Sequence, residues 1–301
     1  MGRFLHDVLE LPQRSEKPRK TGLTILIVSP SLEGVPGPIR VYSEYVDKVK
    51  FTVQCLWVDE ETMAKNIRGY RDLGIDVQIG GVPYELAIVQ NKQKEFLEKA
   101  RSLGVNVIEV ESHAVGLSLQ QMTEEVQRLK EVGFQVVGEV GAKWVGADDT
   151  REVQDRVLVD KVILKMRALL DAGADYVYWE GMVVRELIGN QLENTVGQKQ
   201  LLEVAKAVGP ENILFEVWDA RSGGNSQIWA WLIGQFGPDV NIGNVPVQEL
   251  ARLECTRRGC IYDPAHPYLR WFSQGKPTKH WWKMPFPDYA VDIQRPPVWR
   301  S

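Results

Sequence analysis

Eight short, almost continuously apolar runs punctuate the chain: 23–30 (LTILIVSP), 49–56 (VKFTVQCL), 77–81 (VQIGG), 107–112 (VIEVES), 135–141 (QVVGEVG), 176–181 (YVYWEG), 213–218 (ILFEVW) and 240–245 (VNIGNV). Runs that do not alternate apolar with polar suit parallel strands covered on both faces. The segments between them carry helical spacing instead. Leu86, Phe96, Leu97, Ala100 and Leu103 recur within 85–103, and Gly104 stands at the stop position. Leu119, Met122, Val126 and Leu129 do the same within 117–132. Asp149 and Glu152 read as a capping box for a helix that closes near Gly173. Asn244 and Pro246 read as the opening of a helix after the eighth run.

Eight strand–helix units predict a (β/α)8 TIM barrel over residues 1–264, a single domain. A doubly wound sheet would need a glycine-rich turn after its first strand. Ser29-Pro30-Ser31-Leu32-Glu33-Gly34 is not one. Residues 265–301 fall outside the repeat. Seven prolines lie from Tyr262 onward, and Trp271, Trp281, Trp282 and Trp299 account for four of the ten tryptophans. Disordered chains are poor in aromatics, so an irregular C-terminal arm packed on its own barrel or on a neighbouring subunit is expected. His266 and His280 in it read as structural.

Composition narrows the function classes. The 301 residues are 44% hydrophobic and 25% charged with a net charge of −4, which lacks the basic footprint of a nucleic-acid binder. No apolar run is long enough for a membrane span. Three cysteines without a CxxC, with Cys255 and Cys260 read as buried thiols, suggest a reducing cytoplasmic setting. GxSxG, Walker A and paired-histidine metal motifs do not occur.

Charged residues inside the apolar runs are the functional signal, because a buried charge without a partner is costly. The second run carries Lys50, the fourth Glu109 and Glu111 followed by His113, and the fifth Glu139 with Lys143 beyond it. Glu180 and Glu216 follow in the sixth and seventh, Asn241 and Asn244 in the eighth, and Glu85 begins the helix after the third. Barrel active sites sit at the C-terminal strand ends. Internal salt bridges are the plainer account of any one of these residues; a site accounts for the ring. Carboxylates with few histidines suit a hard cation such as Mg²⁺, with Glu139, Glu180 and Glu216 as candidate ligands. Lys50, Lys143 and Arg19 would face a small anionic substrate. The eighth run, with Asn241, Gly243 and Asn244, is a candidate phosphate-binding loop, and Trp179 and Trp218 at strand ends could shape the pocket.

Several stretches together resemble the phosphosulfolactate synthase family over about residues 15–264. They are Lys17-Pro18-Arg19-Lys20-Thr21-Gly22-Leu23-Thr24, Val46-Asp47-Lys48-Val49-Lys50-Phe51, Gly80-Gly81-Val82-Pro83-Tyr84-Glu85, Glu139-Val140-Gly141-Ala142-Lys143, Leu214-Phe215-Glu216, Asn241-Ile242-Gly243-Asn244 and Leu253-Glu254 with Arg257-Arg258-Gly259. The resemblance implies a (β/α)8 homo-oligomer that adds sulfite to phosphoenolpyruvate with Mg²⁺, on the route to coenzyme M. It implies Lys143 as the acid that protonates the carbon next to the carboxylate, and Lys50 and Arg19 as anion holders. The chain departs from the family pattern at Thr52-Val53-Gln54, where Gly-Trp-Gly is usual, and at Met182, where arginine is usual and Arg185 could substitute. It departs again at Ser29-Pro30, usually acidic, and at Ser112-His113-Ala114, in place of a serine–aspartate–glycine turn. Two alternatives therefore stay open: a family enzyme with an altered small anionic substrate, and a non-catalytic interaction or stress protein on the same barrel.

Overall fold

Asx side chains at the foot of the strands set the start of the barrel. Asp47, one residue before its strand, accepts a hydrogen bond from the Thr24 N–H at 2.8 Å. Asn106 does the same for Val77 at 2.9 Å, Asp175 for Val136 at 2.8 Å and Asn241 for Leu23 at 3.1 Å. Each ties the beginning of one strand to its neighbour and satisfies an amide that no ladder reaches.

A computed structural model of the chain describes residues 4–5, 7–144, 146, 148–217, 225–260, 272, 274–275 and 281–283. The strands are β1 Thr24–Val28, β2 Lys48–Phe51, β3 Asp76–Ile79, β4 Val107–Val110, β5 Gln135–Val140, β6 Arg151–Val153, β7 Arg156–Val157, β8 Tyr176–Trp179, β9 Ile213–Glu216 and β10 Ile242–Pro246. All but β6 and β7 are parallel and close into a barrel in the order β1-β10-β9-β8-β5-β4-β3-β2. The helices are α1 Gly37–Val41, α2 Glu60–Asp72, α3 Gly81–Val89, α4 Gln93–Leu103, α5 Leu119–Glu131, α6 Val159–Asp171, α7 Gly181–Ile188, α8 Thr195–Val208, α9 Ser226–Phe236 and α10 Leu250–Arg257. The chain is a (β/α)8 TIM barrel, and each apolar run of the sequence contributes one of its strands. None of the described helices is long and apolar enough to cross a membrane.

Four local expectations are corrected. The 85–103 helix is two helices, α3 and α4, broken where Asn91 takes a positive φ of 53°. No capping box forms at Asp149. The β6–β7 hairpin intervenes, and the Asp149 carboxylate pairs with Lys165 at 2.6 Å. The 240–245 run is not a loop that opens a helix. Residues from Ile242 to Pro246 are strand, a short 3-10 turn follows, and α10 begins at Leu250. Cys255 is exposed, not buried; all three cysteines are free thiols.

The barrel interior is layered. Leu23, Ile25, Val107, Val137, Tyr178 and Leu214 form an apolar lower plug. A Cβ on Gly243 would stand 2.7 Å from Tyr178 Cε1, so only glycine lets that ring lie across the barrel. The main core lies between strands and helices, and Trp179 belongs to it: it is fully buried and its ring tilts against Phe215 at 6.4 Å. Trp179 therefore does not shape a pocket, and Trp218 lies outside the described residues.

Most of the C-terminal arm, with Trp271, Trp299, His266 and His280, also lies outside them. Two of its described residues pack on the barrel. Trp281 is buried over Gly259, and Trp282 lies 6.2 Å from it, edge-on, against Gly237.

Two stability outcomes follow from the strand feet. Asn241 is fully buried and also donates to the Glu211 and Ile213 carbonyls. Asn241→Ala strands those groups and should lower the unfolding free energy by about 2–4 kcal/mol in urea denaturation. Asp76 receives Lys48, Arg71, Asn106 and Gln135. Burial opposes its charge, but these partners outweigh that and hold its pKa at about 2. Its folded-state pKa lies below the unfolded value, so its contribution is present above pH 4 and fades as pH falls toward 2. Asp76→Asn should cost about 1–2 kcal/mol at pH 6.5, and the gap to the parent should close between about pH 4 and pH 2.

Candidate active site at the barrel mouth

Above the apolar plug the interior becomes ionic. Lys50 of β2 points inward beside Gln78 and Tyr178, with its Nζ 4.6 Å from the centre of the Tyr178 ring. The ammonium lies 2.8 Å from Glu109 Oε2, 2.9 Å from Glu216 Oε1 and 4.0 Å from Glu139 Oε2. Gln78 donates to Glu109 at 2.6 Å and accepts from the Tyr178 hydroxyl at 3.1 Å. All these groups are buried.

One layer higher, on the strand ends, Glu111, His113, Glu139 and Glu180 converge. His113 Nε2 lies 3.1 Å from Glu139 Oε1, 3.8 Å from Glu180 Oε2 and 2.9 Å from the Gly141 carbonyl; Nδ1 lies 3.5 Å from Glu111 Oε2. The carboxylates lean on helix N-termini, where the helix dipole favours negative charge. Glu180 caps α7 by accepting the Met182 N–H at 3.2 Å. Glu111 lies against the start of α3, where a Cβ on Gly81 would fall 2.1 Å from its Cγ. A cavity of about 510 Å³ opens over this bank, and Lys143 reaches it from the loop after β5. Ile27, Val53, Val82 and Met182 give its wall an apolar share.

The electrostatics follow from five carboxylates crowding few cations. For Lys50, burial favours the neutral amine, but Glu109 and Glu216 outweigh it and raise its pKa well above normal. Glu109 is held below the usual carboxylate range, because Lys50 overcomes its burial. Burial raises Glu216 to about 7 against the pull of Lys50. Glu139 is pushed well above the usual carboxylate range by burial and then by Glu216, Glu109, Glu111 and Glu180. Burial disfavours the imidazolium of His113, yet Glu111, then Glu180 and the Gly141 carbonyl, lift it to about 9.

The family model for (2R)-phospho-3-sulfolactate synthase (ComA) matches residues 12–263. The chain belongs to this phosphosulfolactate synthase family. It is 30% identical over 256 residues to the phosphosulfolactate synthase of Methanothermobacter thermautotrophicus, which covers 82% of this chain and 93% of the relative. It is 32% identical over 227 residues to that of Methanocaldococcus jannaschii, covering 73% and 84%. With the Bacillus subtilis phosphosulfolactate synthase it shares 25% over 260 residues, covering 85% and 96%.

The family's candidate residues divide between the two ends of the barrel. Lys50, Lys143, Glu139, Glu180, Glu216 and Asn244 line the mouth pocket. Asn244 adopts a positive φ of 54° at a bulge in the β1–β10 pairing, and its Oδ1 is buried without a hydrogen-bond partner. Arg19 lies at the other end. It bonds Asp47 at 3.2 Å and the Ser15 carbonyl at 3.1 Å, beneath the start of β1, and cannot meet a substrate in the mouth pocket. Asn241 is the strand-foot latch already described, and Gly243 is space for Tyr178; of the eighth run's three candidates only Asn244 lines the mouth pocket. Glu85 lies behind the pocket wall, where it accepts the Ala114 and Val115 N–H groups at 3.1–3.2 Å and fixes the turn that carries His113. Arg185 is buried on α7, bonded to Asn190 and Asn225, and is not a pocket-lining residue.

A divalent cation fits this donor set. Glu111 Oε1 and Glu139 Oε1 are buried with no hydrogen-bond partner. Ligand atoms of Glu111, His113 and Glu139 lie within 4.8 Å of one another, as do those of Glu109, Glu139 and Glu216. The second trio already encloses the Lys50 ammonium, so Glu111, His113 and Glu139 form the available set, with Glu180 alongside. Two of its members, Glu111 and His113, stand at the end of the fourth run and just beyond it, outside the ligand set Glu139, Glu180 and Glu216 that the sequence suggested.

Lys50→Met would leave Glu109 and Glu216 buried without their ammonium. The expected loss is about 3–5 kcal/mol of unfolding free energy by chemical denaturation. A Lys50→Met/Glu109→Gln/Glu216→Gln triple variant should recover part of it.

Proposed function

We propose that the protein is a phosphosulfolactate synthase-like enzyme that adds sulfite to phosphoenolpyruvate and forms a carbon–sulfur bond. The reading rests on one observation: the mouth pocket joins an accessible lysine, Lys143, to a bank of carboxylates within the segment the family match covers. In this reaction the sulfite sulfur attacks the methylene carbon, the double-bond electrons move toward the carboxylate, and a proton is added to the adjacent carbon. Lys143 is exposed, with no ion-pair partner among the described residues, so its ammonium can deliver that proton. Lys50 serves differently. Its ammonium is saturated by Glu109 and Glu216, so it holds the floor of the pocket rather than moving a proton. Mg²⁺ held by Glu111 and Glu139, with Glu180 nearby, would supply positive charge for the substrate carboxylate. The reading also takes the protein as a cytoplasmic homo-oligomer, in keeping with its free thiols.

A second reading keeps the chemistry and changes the acceptor. No arginine is among the described pocket-lining residues, and Met182, Val53 and Val82 occupy its wall. That favours a less anionic acceptor than phosphoenolpyruvate.

Incubation with sulfite, phosphoenolpyruvate and Mg²⁺, followed by anion-exchange chromatography and mass spectrometry, should show a sulfonated phospho-acid that is lost without Mg²⁺. Lys143→Ala should lower kcat by about 10²–10⁴-fold, the usual worth of a positioned acid. Absence of product with phosphoenolpyruvate, but product with an uncharged-ester acceptor, would select the second reading. Absence of both would reject the carbon–sulfur chemistry.

A further inference from the structure

We propose that Cys255 and Cys260 form a modification site: a dithiol that closes to an intramolecular disulfide by exchange with a small-molecule disulfide of the glutathione type. The site is independent of the reaction proposed above. It lies at the foot of the barrel, where Arg257, inside the same turn, donates to the Leu23 carbonyl at the start of β1 at 3.0 Å.

The turn that ends α10 brings the two thiols together. Gly259 takes a positive φ of 63°, its N–H bonds the Thr256 carbonyl at 3.0 Å, and the Cys260 N–H bonds the Cys255 carbonyl at 3.0 Å. A helix end of this kind, closed by a left-handed glycine, puts the side chains at the two ends of its longest bond in contact. The same turn closes α2, α4, α5 and α6. There the joined pairs, such as Tyr70 with Ile75 and Leu129 with Phe134, belong to the buried core. At the end of α10 the pair is two cysteines, and it is open to a reagent: Cys255 is exposed and Cys260 half-buried.

The reach is right for a covalent link. With ordinary backbone bond lengths, the bond between Cys260 and Cys255 keeps their Cα atoms within about 7 Å of each other. Disulfides usually span roughly 4.4–6.8 Å between Cα atoms. Burial, and then the nearness of Cys255, pushes the Cys260 thiol up to about 11, so the two sulfurs sense one another. Cys260 Sγ also donates to the Arg258 carbonyl at 3.3 Å, which keeps it on the turn.

The exposed Cys255 is the attacking thiol. Its thiolate displaces one glutathione thiolate from the small disulfide and leaves a mixed disulfide on Cys255. The Cys260 thiolate then attacks the Cys255 sulfur and displaces the second glutathione. Two electrons pass from the protein thiols to the reagent, and the two thiol protons end on the two glutathiones. An exposed disulfide is of the labile kind, which suits a reversible mark in a reducing setting. Trp281 lies over Gly259, where a Cβ would stand 2.6 Å from its ring. Closing the pair therefore stiffens the turn on which this part of the C-terminal arm rests.

The test incubates the reduced full-length protein with oxidised glutathione, alkylates the remaining thiols and digests with trypsin, which cuts after Arg252, Arg257, Arg258 and Arg270. The expected product is peptide 253–257 joined to peptide 259–270, lighter by two hydrogens than the two free-thiol peptides, on chains that run as monomers in non-reducing gels. It should outweigh glutathione adducts at these two residues by about tenfold or more, because the second thiol is held beside the first. Dithiothreitol should restore both thiols. Cys260→Ser should leave Cys255 carrying a persistent glutathione, and Cys55→Ser should leave the linked peptide unchanged. Circular dichroism melts check that each variant is folded. Stable glutathione adducts on both cysteines, two unreacted thiols, a link to Cys55 or to a second chain, or equal linkage in the urea-unfolded chain would each overturn the proposal.

Discussion

The structure depends on keeping negative charge inside a barrel. Glu109, Glu111, Glu139, Glu180 and Glu216 are all buried at or below the mouth, and charge taken out of water must be paired or neutralised. Lys50 is the device that makes this possible, because one ammonium reaches two carboxylates from different strands. The rest is arranged around it. Gln78 and Tyr178 complete the hydrogen bonds that Lys50 leaves open, and Gly243 makes room for the Tyr178 ring. Gly81 gives way to Glu111 so that this carboxylate can lie at a helix N-terminus. Glu139 is left over, 4.0 Å from the ammonium, and burial among the other carboxylates drives its pKa well up.

The two ends of the barrel put their polar side chains to different uses. At the foot, Asp47, Asn106, Asp175 and Asn241 face backbone amides, so their polarity is spent on closing the sheet. At the mouth, Glu111 and Glu139 keep oxygens without a hydrogen-bond partner. A polar side chain whose hydrogen bonds are complete cannot respond to a ligand, whereas one left incomplete gains by binding it. This difference, more than residue type, separates scaffold from site in this fold.

That difference also sets what could be read from the sequence. The eight apolar runs place all eight barrel strands, because a strand buried on both faces has no alternative pattern. Lys50, Glu139, Glu180 and Glu216 were legible as charges within such runs. Arg19 and Asn241 look the same on paper as mouth residues. Only the position of each relative to its strand, ahead of it rather than beyond it, puts them at the foot. Gly243 and Asn244 suggested a loop, but the glycine answers to Tyr178, sixty-five positions away in the chain, and no local pattern carries that contact. The α3–α4 break and the β6–β7 hairpin were lost for the same reason: helical spacing continues across a short interruption. His113 was visible yet ambiguous, since its meaning comes from Glu111 beside it and from Glu139 and Glu180 on other strand ends.

Under the proposed function, the charge balance also orders events at the mouth. Lys143 is the accessible cation there, while Lys50 is already neutralised and His113 is enclosed by Glu111, Glu139 and Glu180. Carboxylates therefore outweigh the positive charge an arriving anion would meet, and such a field repels it. A dication held by Glu111, His113 and Glu139 would reverse the local sign and would leave Lys143 free to act on the substrate. With such a cation, anion binding would follow cation binding. The apolar wall of Met182, Val53 and Val82 adds no charge of its own, so under that reading the pull on the substrate would come from the bound cation and Lys143. The selectivity of the pocket for its acceptor thus rests on how much negative charge those two cations can hold.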